Sequence, residues 1–276
     1  MSGAVAMASS LARSLKMKIG CTLMLLLAVT LGAYPCSIFK YAIAGRTYFC
    51  GNEDWTALDP AIQTFRAQGK DYGFVLLGWK SFLPRYVQAG INSKGLCFDW
   101  AAVPPQQYMR DITKKDLTLD FTTEVLKRCA NVIEAIDYIK SYNIPHLAEE
   151  HIMFADRTGK SCVIEYNHSQ LQLTQSGSES QFITNFHITD KSLGWYPCDR
   201  YAKMEAFFRE QGNKETRLVE LLDRIHQEGQ YPTVYSYIFD LSRMQITIFH
   251  NHNYRVSRAY SLENLLAKDM VQEISF

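Results

Sequence analysis

Short apolar and aromatic runs separated by polar turns dominate the chain, which is the pattern of β-strands joined as hairpins. Such runs lie on both sides of Ala44-Gly45-Arg46 and on both sides of Asn92-Ser93-Lys94-Gly95. A third run covers residues 72–79. The pattern predicts two hairpins with one strand between them.

Strand-like runs return in the second half of the chain. Residues 149–174 contain three of them, with Asp156-Arg157-Thr158-Gly159 as the turn between the first two. Residues 235–250 form one more pair.

Helical spacing of apolar residues separates these groups of strands. Residues 120–142 predict two helices, the second capped by Asn131 with Glu134 three residues later, as in a capping box. Residues 199–211 and 215–227 are amphipathic and predict two more helices.

A single domain over residues 36–276 fits this order, because no repeat, low-complexity tract or Pro/Gly-rich linker divides it. Strands, then helices, then strands and helices favour an α+β layered fold over a parallel doubly wound sheet.

Residues 1–35 have the layout of a secretory signal peptide. Arg13, Lys16 and Lys18 precede an apolar run from Ile19 to Ala33, which at 15 residues is shorter than the roughly 20 of a membrane-spanning helix. We therefore expect a leader that is removed, an exported protein in the periplasm or secreted, and no stable membrane span afterwards. An uncleaved anchor, a buried helix and a lipid-modified Cys36 are the alternatives.

Charge excludes one class of partner. The formal net charge is +1, and loss of the three basic residues in the leader makes it −2. A near-neutral chain has no strong electrostatic attraction to nucleic acid. Whether it forms a homo-oligomer is left open.

Six cysteines remain after residue 35, at positions without a CxxC pair or zinc-site spacing. If Cys36 stays free, the other five cannot all pair, so most are expected to be buried as small apolar residues. P-loop, GxGxxG, GxSxG and HExxH motifs are absent too. These observations predict no metal and no organic cofactor.

Cys36 is the first candidate for chemistry, since it follows a removable leader. As the first residue of the mature chain it would carry a free α-amino group, with an ordinary pKa near 8. That amine can take the proton of its own thiol, so nucleophile and base lie on one residue. The alternative is an incidental cysteine.

Three further residues complete a candidate site. Asp54 lies on the strand that returns from Cys36, Asn185 follows an apolar run, and Arg200 opens a predicted helix. A carboxylate can orient the nucleophile, an amide can stabilise an oxyanion, and a buried guanidinium can orient a carboxylate. Each residue alone is also compatible with a turn or a surface position.

In order, the sequence contains Cys36-Ser37, GNEDW at 51–55, AGINSKGL, HIMFADRTGKSCVIEY, FITNFHI and CDRYAKM. This set resembles the choloylglycine hydrolase/penicillin V acylase branch of the N-terminal nucleophile hydrolases, the linear amide C–N hydrolases. The resemblance covers nearly all of the chain after residue 35.

The resemblance implies a four-layer αββα fold with two antiparallel sheets between helices. It implies that Cys36 is the nucleophile, that Asp54 positions it, that Asn185 contributes to the oxyanion hole and that Arg200 supports the cluster. It also implies a small N-acyl amide as substrate.

Substrate contacts are expected at Asn52, Trp55, Trp100 and Ala102. Other aromatic residues have either a core position or a place along an acyl pocket. They are Phe65, Phe74, Trp79 and Phe82.

Two positions depart from the family pattern. Gly51 stands where the family commonly has arginine, so either Arg200 replaces that guanidinium or the site is tuned differently. Ala102 stands near a family Asn or Tyr, which leaves a backbone N–H for the oxyanion but no side-chain contact to substrate.

Three functions follow from these residues: an exported amidase that uses a Cys36 thioester, an acyltransferase that uses the same thioester, and a non-catalytic binding protein of this fold.

Overall fold

β-Strands form the frame of the protein. The computed structural model describes residues 36–56, 59–84, 87–117 and 121–274, all within one compact unit, Tyr34–Phe276. The predicted leader, residues 1–35, lies outside the described residues, so its removal stays a prediction.

Sixteen strands lie within the described residues, and all the pairings in the two large sheets are antiparallel. They are β1 (Ser37–Ile43), β2 (Arg46–Asp54), β3 (Pro60–Phe65), β4 (Phe74–Trp79), β5 (Val87–Asn92), β6 (Cys97–Ala102), β7 (Lys115–Asp116), β8 (Tyr142–Asn143), β9 (Glu150–Ala155), β10 (Ser161–Asn167), β11 (Gln170–Ser176), β12 (Ser180–Ile183), β13 (Thr233–Asp240), β14 (Gln245–His250), β15 (Arg258–Ser261) and β16 (Met270–Glu273).

The six-stranded sheet has the order β12-β1-β2-β13-β14-β15, and the eight-stranded sheet has the order β11-β10-β9-β6-β5-β4-β3-β16. The short strands β7 and β8 pair separately and in parallel. The strands that follow Cys36 therefore lie inside a sheet and not at its edge.

Five α-helices and three 3₁₀ helices accompany the sheets in the described residues. They are α1 (Phe121–Arg128), α2 (Val132–Lys140), α3 (Asp199–Arg209), α4 (Leu218–Arg224), α5 (Leu262–Leu265) and the 3₁₀ helices Pro145–Ala148, Lys191–Leu193 and Glu215–Arg217. None of the described helices is long and apolar enough to cross a membrane.

Side chains that alternate along the strands separate three cores. The inter-sheet core contains Cys36, Phe49 and Tyr237 of the six-stranded sheet with Leu77 and Met153 of the eight-stranded sheet. Burial of each large apolar side chain there contributes about 1.5–3 kcal/mol.

The two other cores lie on the outer faces of the sheets. Phe98 of β6 packs with Val125 of α1 and Ile136 of α2. On the opposite side, Cys50 of β2 packs with Phe207 of α3. The layers are therefore helix, sheet, sheet and helix, which confirms the predicted αββα sandwich.

The β1–β2 hairpin sets the register at the candidate site. Ala44 and Gly45 form its two-residue turn with φ of 49° and 76°, the left-handed pair that matches the strand twist. Ser37 pairs with Asn52, so Cys36, one residue earlier, lies across from Glu53.

The predicted hairpins, the α1–α2 pair and the Asn131 cap are confirmed. Asn131 Oδ1 accepts from Glu134 N at 3.1 Å. The sequence analysis missed the edge strands β12, β15 and β16 and the strand β3. Three of these have four residues each, too few to show a period of two.

Candidate active site

Cys36 lies immediately before β1 with only 4% of its surface exposed, at the end of the inter-sheet core. Its backbone N–H donates to Asn185 Oδ1 at 3.0 Å. Its Sγ lies 3.7 Å from Glu53 Oε2. The backbone and the sulfur of this residue therefore have different partners.

Arg200, near the start of α3, holds the backbone side. Its Nη1 donates to the Cys36 carbonyl oxygen and, at 2.7 Å, to Ser37 Oγ. Its Nη2 donates to Asn185 Oδ1 at 2.8 Å. A planar guanidinium has a fixed set of donors, so it fixes Cys36 and Asn185 relative to one another.

Asp54 ends β2 and is 2% exposed. Thr233 of β13 donates its hydroxyl to Asp54 Oδ1, and Arg200 Nη1 lies 3.9 Å from Oδ2. Burial raises the pKa of Asp54 well above its ordinary value, although Arg200 and Thr233 act in the opposite direction. The four predicted catalytic residues thus lie in one cluster, and their roles stay predictions.

An acidic group beside the sulfur was missed by the sequence analysis. Glu53 and Asp99 are fully buried, and burial together with the nearby Asp99 raises the pKa of Glu53 well above its ordinary value. Tyr237 donates its hydroxyl to Asp99 Oδ2 at 2.5 Å. The hairpin predicted around Ala44-Gly45-Arg46 carried part of the signal. In the structure its turn has two residues, Ala44 and Gly45, and this register places Cys36 across from Glu53 rather than Asp54.

Gly51 leaves the space that this acidic group occupies. A Cβ at Gly51 would lie 2.7 Å from Asp99 Oδ2 and 2.8 Å from the Tyr237 hydroxyl. The position where the family commonly has arginine therefore has no room for a side chain. Arg200 reaches the Cys36 carbonyl, so carboxyl groups, not a guanidinium, surround the sulfur.

These surroundings keep the thiol protonated. Burial raises the pKa of Cys36 well above its ordinary value, and the nearby Glu53, Asp54 and Asp99 raise it further. The backbone N–H of Asp54 opposes this by donating to the sulfur. Thiolate is the nucleophilic form, so a proton acceptor is needed for attack.

A buried acid and an imidazole fix the segment that carries Asn185. Glu165 of β10 accepts from the backbone N–H of Ile188 at 2.6 Å and of Thr189 at 3.0 Å. His151 of β9 lies 3.0 Å from Glu165 Oε1 and donates Nε2–H to the Thr184 carbonyl at 2.7 Å. The residue before Asn185 and the residues just after it are therefore both fixed by hydrogen bonds to this buried pair.

The four predicted substrate contacts separate into two pairs. Trp55 stacks on Trp79 with ring centroids 6.4 Å apart and packs against the inter-sheet core. The Ala102 carbonyl accepts from Asn185 Nδ2 at 3.0 Å, so Ala102 contacts the site through its carbonyl oxygen rather than the expected N–H.

Asn52 and Trp100 face away from Cys36. Asn52 donates to the Leu222 carbonyl of α4 at 3.0 Å, and Trp100 packs in the core beneath α1 and α2. Side chains alternate along a strand, so Asn52 lies opposite to Glu53 and Trp100 opposite to Asp99.

The described residues also form a large cavity, which lies apart from the Cys36 cluster. It measures about 1000 Å³ and is lined by Phe65, Tyr72, Phe74 and His146 among others. Phe74 lies in the core as expected, with Phe65 packed against it, and both also line this cavity. None of Cys36, Asp54, Asn185 and Arg200 lines this cavity.

One set of described side chains could hold a metal ion. His226, Glu228 and His252 place one ligand atom each within 4.8 Å of one another. They lie outside the Cys36 cluster, and the proposed reaction uses none of them.

The αββα layers and a cysteine at the start of an inner strand define an N-terminal nucleophile hydrolase fold. A family model described as acyl-coenzyme A:6-aminopenicillanic acid acyl-transferase matches residues 44–255. The chain belongs to this family. The matched stretch contains Asp54, Asn185 and Arg200 and begins after Cys36.

Solved structures show the same fold. A mutant of the conjugated bile acid hydrolase from Clostridium perfringens aligns with a TM-score of 0.65 and 15% identity, over 87% of this chain and 97% of its own. Penicillin V acylase from Agrobacterium tumefaciens aligns with a TM-score of 0.59 and 11% identity, over 87% and 90%. No curated protein matches the sequence.

Replacement Gly51→Ala should destabilise the protein, because the added Cβ meets Asp99 and Tyr237 below 3 Å. We expect a loss of about 1–3 kcal/mol in urea unfolding. Gly177→Ala is the control, since a Cβ there meets nothing within 4 Å. Equal stability of the two variants would contradict the close packing.

The contribution of Glu165 should depend on pH. Burial alone would raise its pKa, but hydrogen bonds and the charge of His151 lower it to about 2. Against an ordinary pKa of about 4.3, this corresponds to about 3 kcal/mol. A lowered carboxyl pKa stabilises the folded state above the unfolded pKa, and this stabilisation is lost as the pH falls toward 2.

Urea unfolding from pH 7 to pH 3 measures this effect. Glu165→Gln should be less stable than wild type at pH 7, and the difference should shrink below about pH 4. The exposed Glu228→Gln is the control. A constant difference at every pH would show that the carboxylate charge contributes nothing.

Proposed function

We propose that the chain is an exported cysteine amidase that hydrolyses a linear carbon–nitrogen amide through a Cys36 thioester. Cys36 acts after removal of residues 1–35 makes it the mature N-terminus. The observation that supports this most is the fixed position of Cys36: its N–H contacts Asn185 and its carbonyl contacts Arg200.

The first chemical step uses the nitrogen of Cys36. Once freed, this amine lies beside Asn185 Oδ1, at the position where the backbone N–H is 3.0 Å away. It is the base in the first step, and sulfur attacks the substrate carbonyl carbon. Asn185, oriented by Arg200 and the Ala102 carbonyl, donates to the oxyanion.

The second step releases the products. The tetrahedral intermediate collapses, the C–N bond breaks, and the leaving amine takes the proton from the Cys36 ammonium. Water then attacks the thioester, the acid leaves, and the thiol is restored. Asp54 and Arg200 keep their positions throughout and orient Cys36.

A small N-acyl compound is the proposed substrate. Trp55 and Trp79 provide apolar surface next to the inter-sheet core for an acyl group. The names of the two structural neighbours, a bile acid hydrolase and a penicillin V acylase, support amide hydrolysis. Gly51 and Ala102 differ from the family pattern, so neither of those substrates is assigned to this chain.

Acyl transfer is the second candidate, because the matching family model carries an acyl-transferase description. The same thioester would then react with an amine instead of water. Adding an amine acceptor to the assay separates the two: a free acid indicates hydrolysis, and a new amide indicates transfer.

Cys36→Ala should abolish activity toward a panel of N-acyl amines, since it removes the nucleophile. Liquid chromatography of the released amine measures the rate, and a loss of at least about 1000-fold is expected. Cys198→Ala, which changes a half-buried thiol outside the cluster, should keep wild-type activity. Failure of wild type to hydrolyse or transfer any acyl group would favour the non-catalytic binding protein.

The exported protein should begin at Cys36. Intact mass and Edman sequencing of the purified exported form test this directly. An active protein that begins at Tyr34 or earlier would refute the α-amino group as base. A protein retained in the cytoplasm with residues 1–35 attached would refute export.

A further inference from the structure

The side-chain partner of the Cys36 sulfur is a carboxyl group. Glu53 Oε2 lies 3.7 Å from Sγ, and Glu53 is fully buried. The Glu53 contact is within reach of an S–H···O hydrogen bond. Glu53 Oε1 is buried as well and has no hydrogen-bond donor among the described residues.

Asp99 lies in the same buried acidic group as Glu53. Both oxygens of Asp99 accept hydrogen bonds, Oδ1 from Trp100 N at 2.6 Å and Oδ2 from the Tyr237 hydroxyl at 2.5 Å. Two carboxyl groups buried together disfavour each other's charge. The two donors stabilise the charged form of Asp99.

The pair can take one more proton near neutral pH. Burial raises the pKa of Asp99 to about 7, with hydrogen bonds from Glu53 and Tyr237 opposing this. Burial and Asp99 raise the pKa of Glu53 well above its ordinary value. Glu53 therefore holds a proton more strongly than an ordinary carboxylate, which suits it to accept one from the buried thiol.

Other charged or titratable groups around the pair are accounted for. Asp54 and Glu150 add negative charge nearby, and burial and the charge of Glu53 raise the pKa of Tyr235. Arg200 directs its donors to Cys36 O, Ser37 and Asn185. No described cation contacts the sulfur, so ionising the thiol alone would add a negative charge to an acidic cluster.

We propose that Glu53 accepts the thiol proton of Cys36 while the Cys36 nitrogen is still part of a peptide bond, before the α-amino group exists. This rests on the proposed function, in which sulfur attacks a carbonyl carbon. The S–H bond breaks, its electron pair stays on sulfur, and an O–H bond forms on Glu53 Oε2. The net charge of the cluster is unchanged by the transfer.

Once residues 1–35 are removed, the α-amino group of Cys36 is the base of the amidase reaction, and the proton movements during turnover are those given for that reaction.

This assignment gives Cys36 a base in the uncleaved chain. There the Cys36 nitrogen is part of a peptide bond and donates to Asn185, so it cannot accept a proton. Glu53 contacts the sulfur in that same state. The thiol is therefore competent before the α-amino group exists.

The rate of Cys36 alkylation by iodoacetamide, a neutral reagent, tests the proposal on the full chain. Peptide mass spectrometry quantifies Cys36, and intact mass shows whether residues 1–35 are attached. Glu53→Gln should slow alkylation at pH 7.5 by at least about tenfold, because thiolate forms only with a proton acceptor present. The exposed Glu228→Gln is the matched control and should react like wild type.

Faster alkylation of Cys36 in Glu53→Gln than in wild type would overturn the proposal. If Glu53 acts only through its charge, Glu53→Gln removes an anion beside the sulfur, lowers the thiol pKa and speeds alkylation. An unchanged rate would also overturn it. Glu53→Asp, which withdraws the carboxylate by one methylene, should show a partial loss and covers the case in which Glu53→Gln does not fold.

Alkylation needs no substrate, so the two proposals fail separately. Loss of amide turnover in Cys36→Ala together with wild-type alkylation of Glu53→Gln refutes only the role of Glu53. Slow alkylation of Glu53→Gln in a protein that turns over no amide refutes only the amidase.

Discussion

The Arg200 guanidinium is the interaction on which the candidate site depends. Its side chain is 11% exposed, and a buried cation is stable only with good partners. It finds them in the Cys36 carbonyl, the Ser37 hydroxyl and Asn185 Oδ1. The start of β1 and the segment after β12 are thereby joined to α3 through one planar group. The nucleophile is positioned by its backbone, and its sulfur is left to a different set of neighbours.

Charge is separated across Cys36 as a result. The cation lies on the backbone side, and Glu53 and Asp99 lie on the sulfur side. Gly51 makes this possible, because only a residue without Cβ leaves room for Asp99 and the Tyr237 hydroxyl. Side chains alternate along a strand, so Gly51, Glu53 and Asp99 lie on the face between the sheets. Their neighbours Asn52 and Trp100 lie on the outer faces. Glycine at position 51 therefore allows an acidic group, rather than a side chain from β2, to lie near the sulfur.

Much of this arrangement could be predicted from local sequence. The turn at Ala44-Gly45, the strands around it and the Asn131 cap depend on residues close in sequence, and the structure has them where expected. The convergence of Cys36, Asp54, Asn185 and Arg200 came from an ordered set of motifs. Asp99 and Tyr237 could not be found this way, because their meeting with Glu53 depends on how two sheets pack and leaves no local pattern.

The buried acids near Cys36 favour a catalytic use of the fold over a use in binding alone. Glu53, Asp54 and Asp99 each have a raised pKa because burial disfavours their charged forms, so they cost stability at neutral pH. Apolar side chains would fill the same space between the sheets more stably. A fold used only for binding has no need of acids that keep a thiol protonated. Three such acids around one cysteine instead allow protons to move without a change in buried charge, which supports a catalytic use of Cys36.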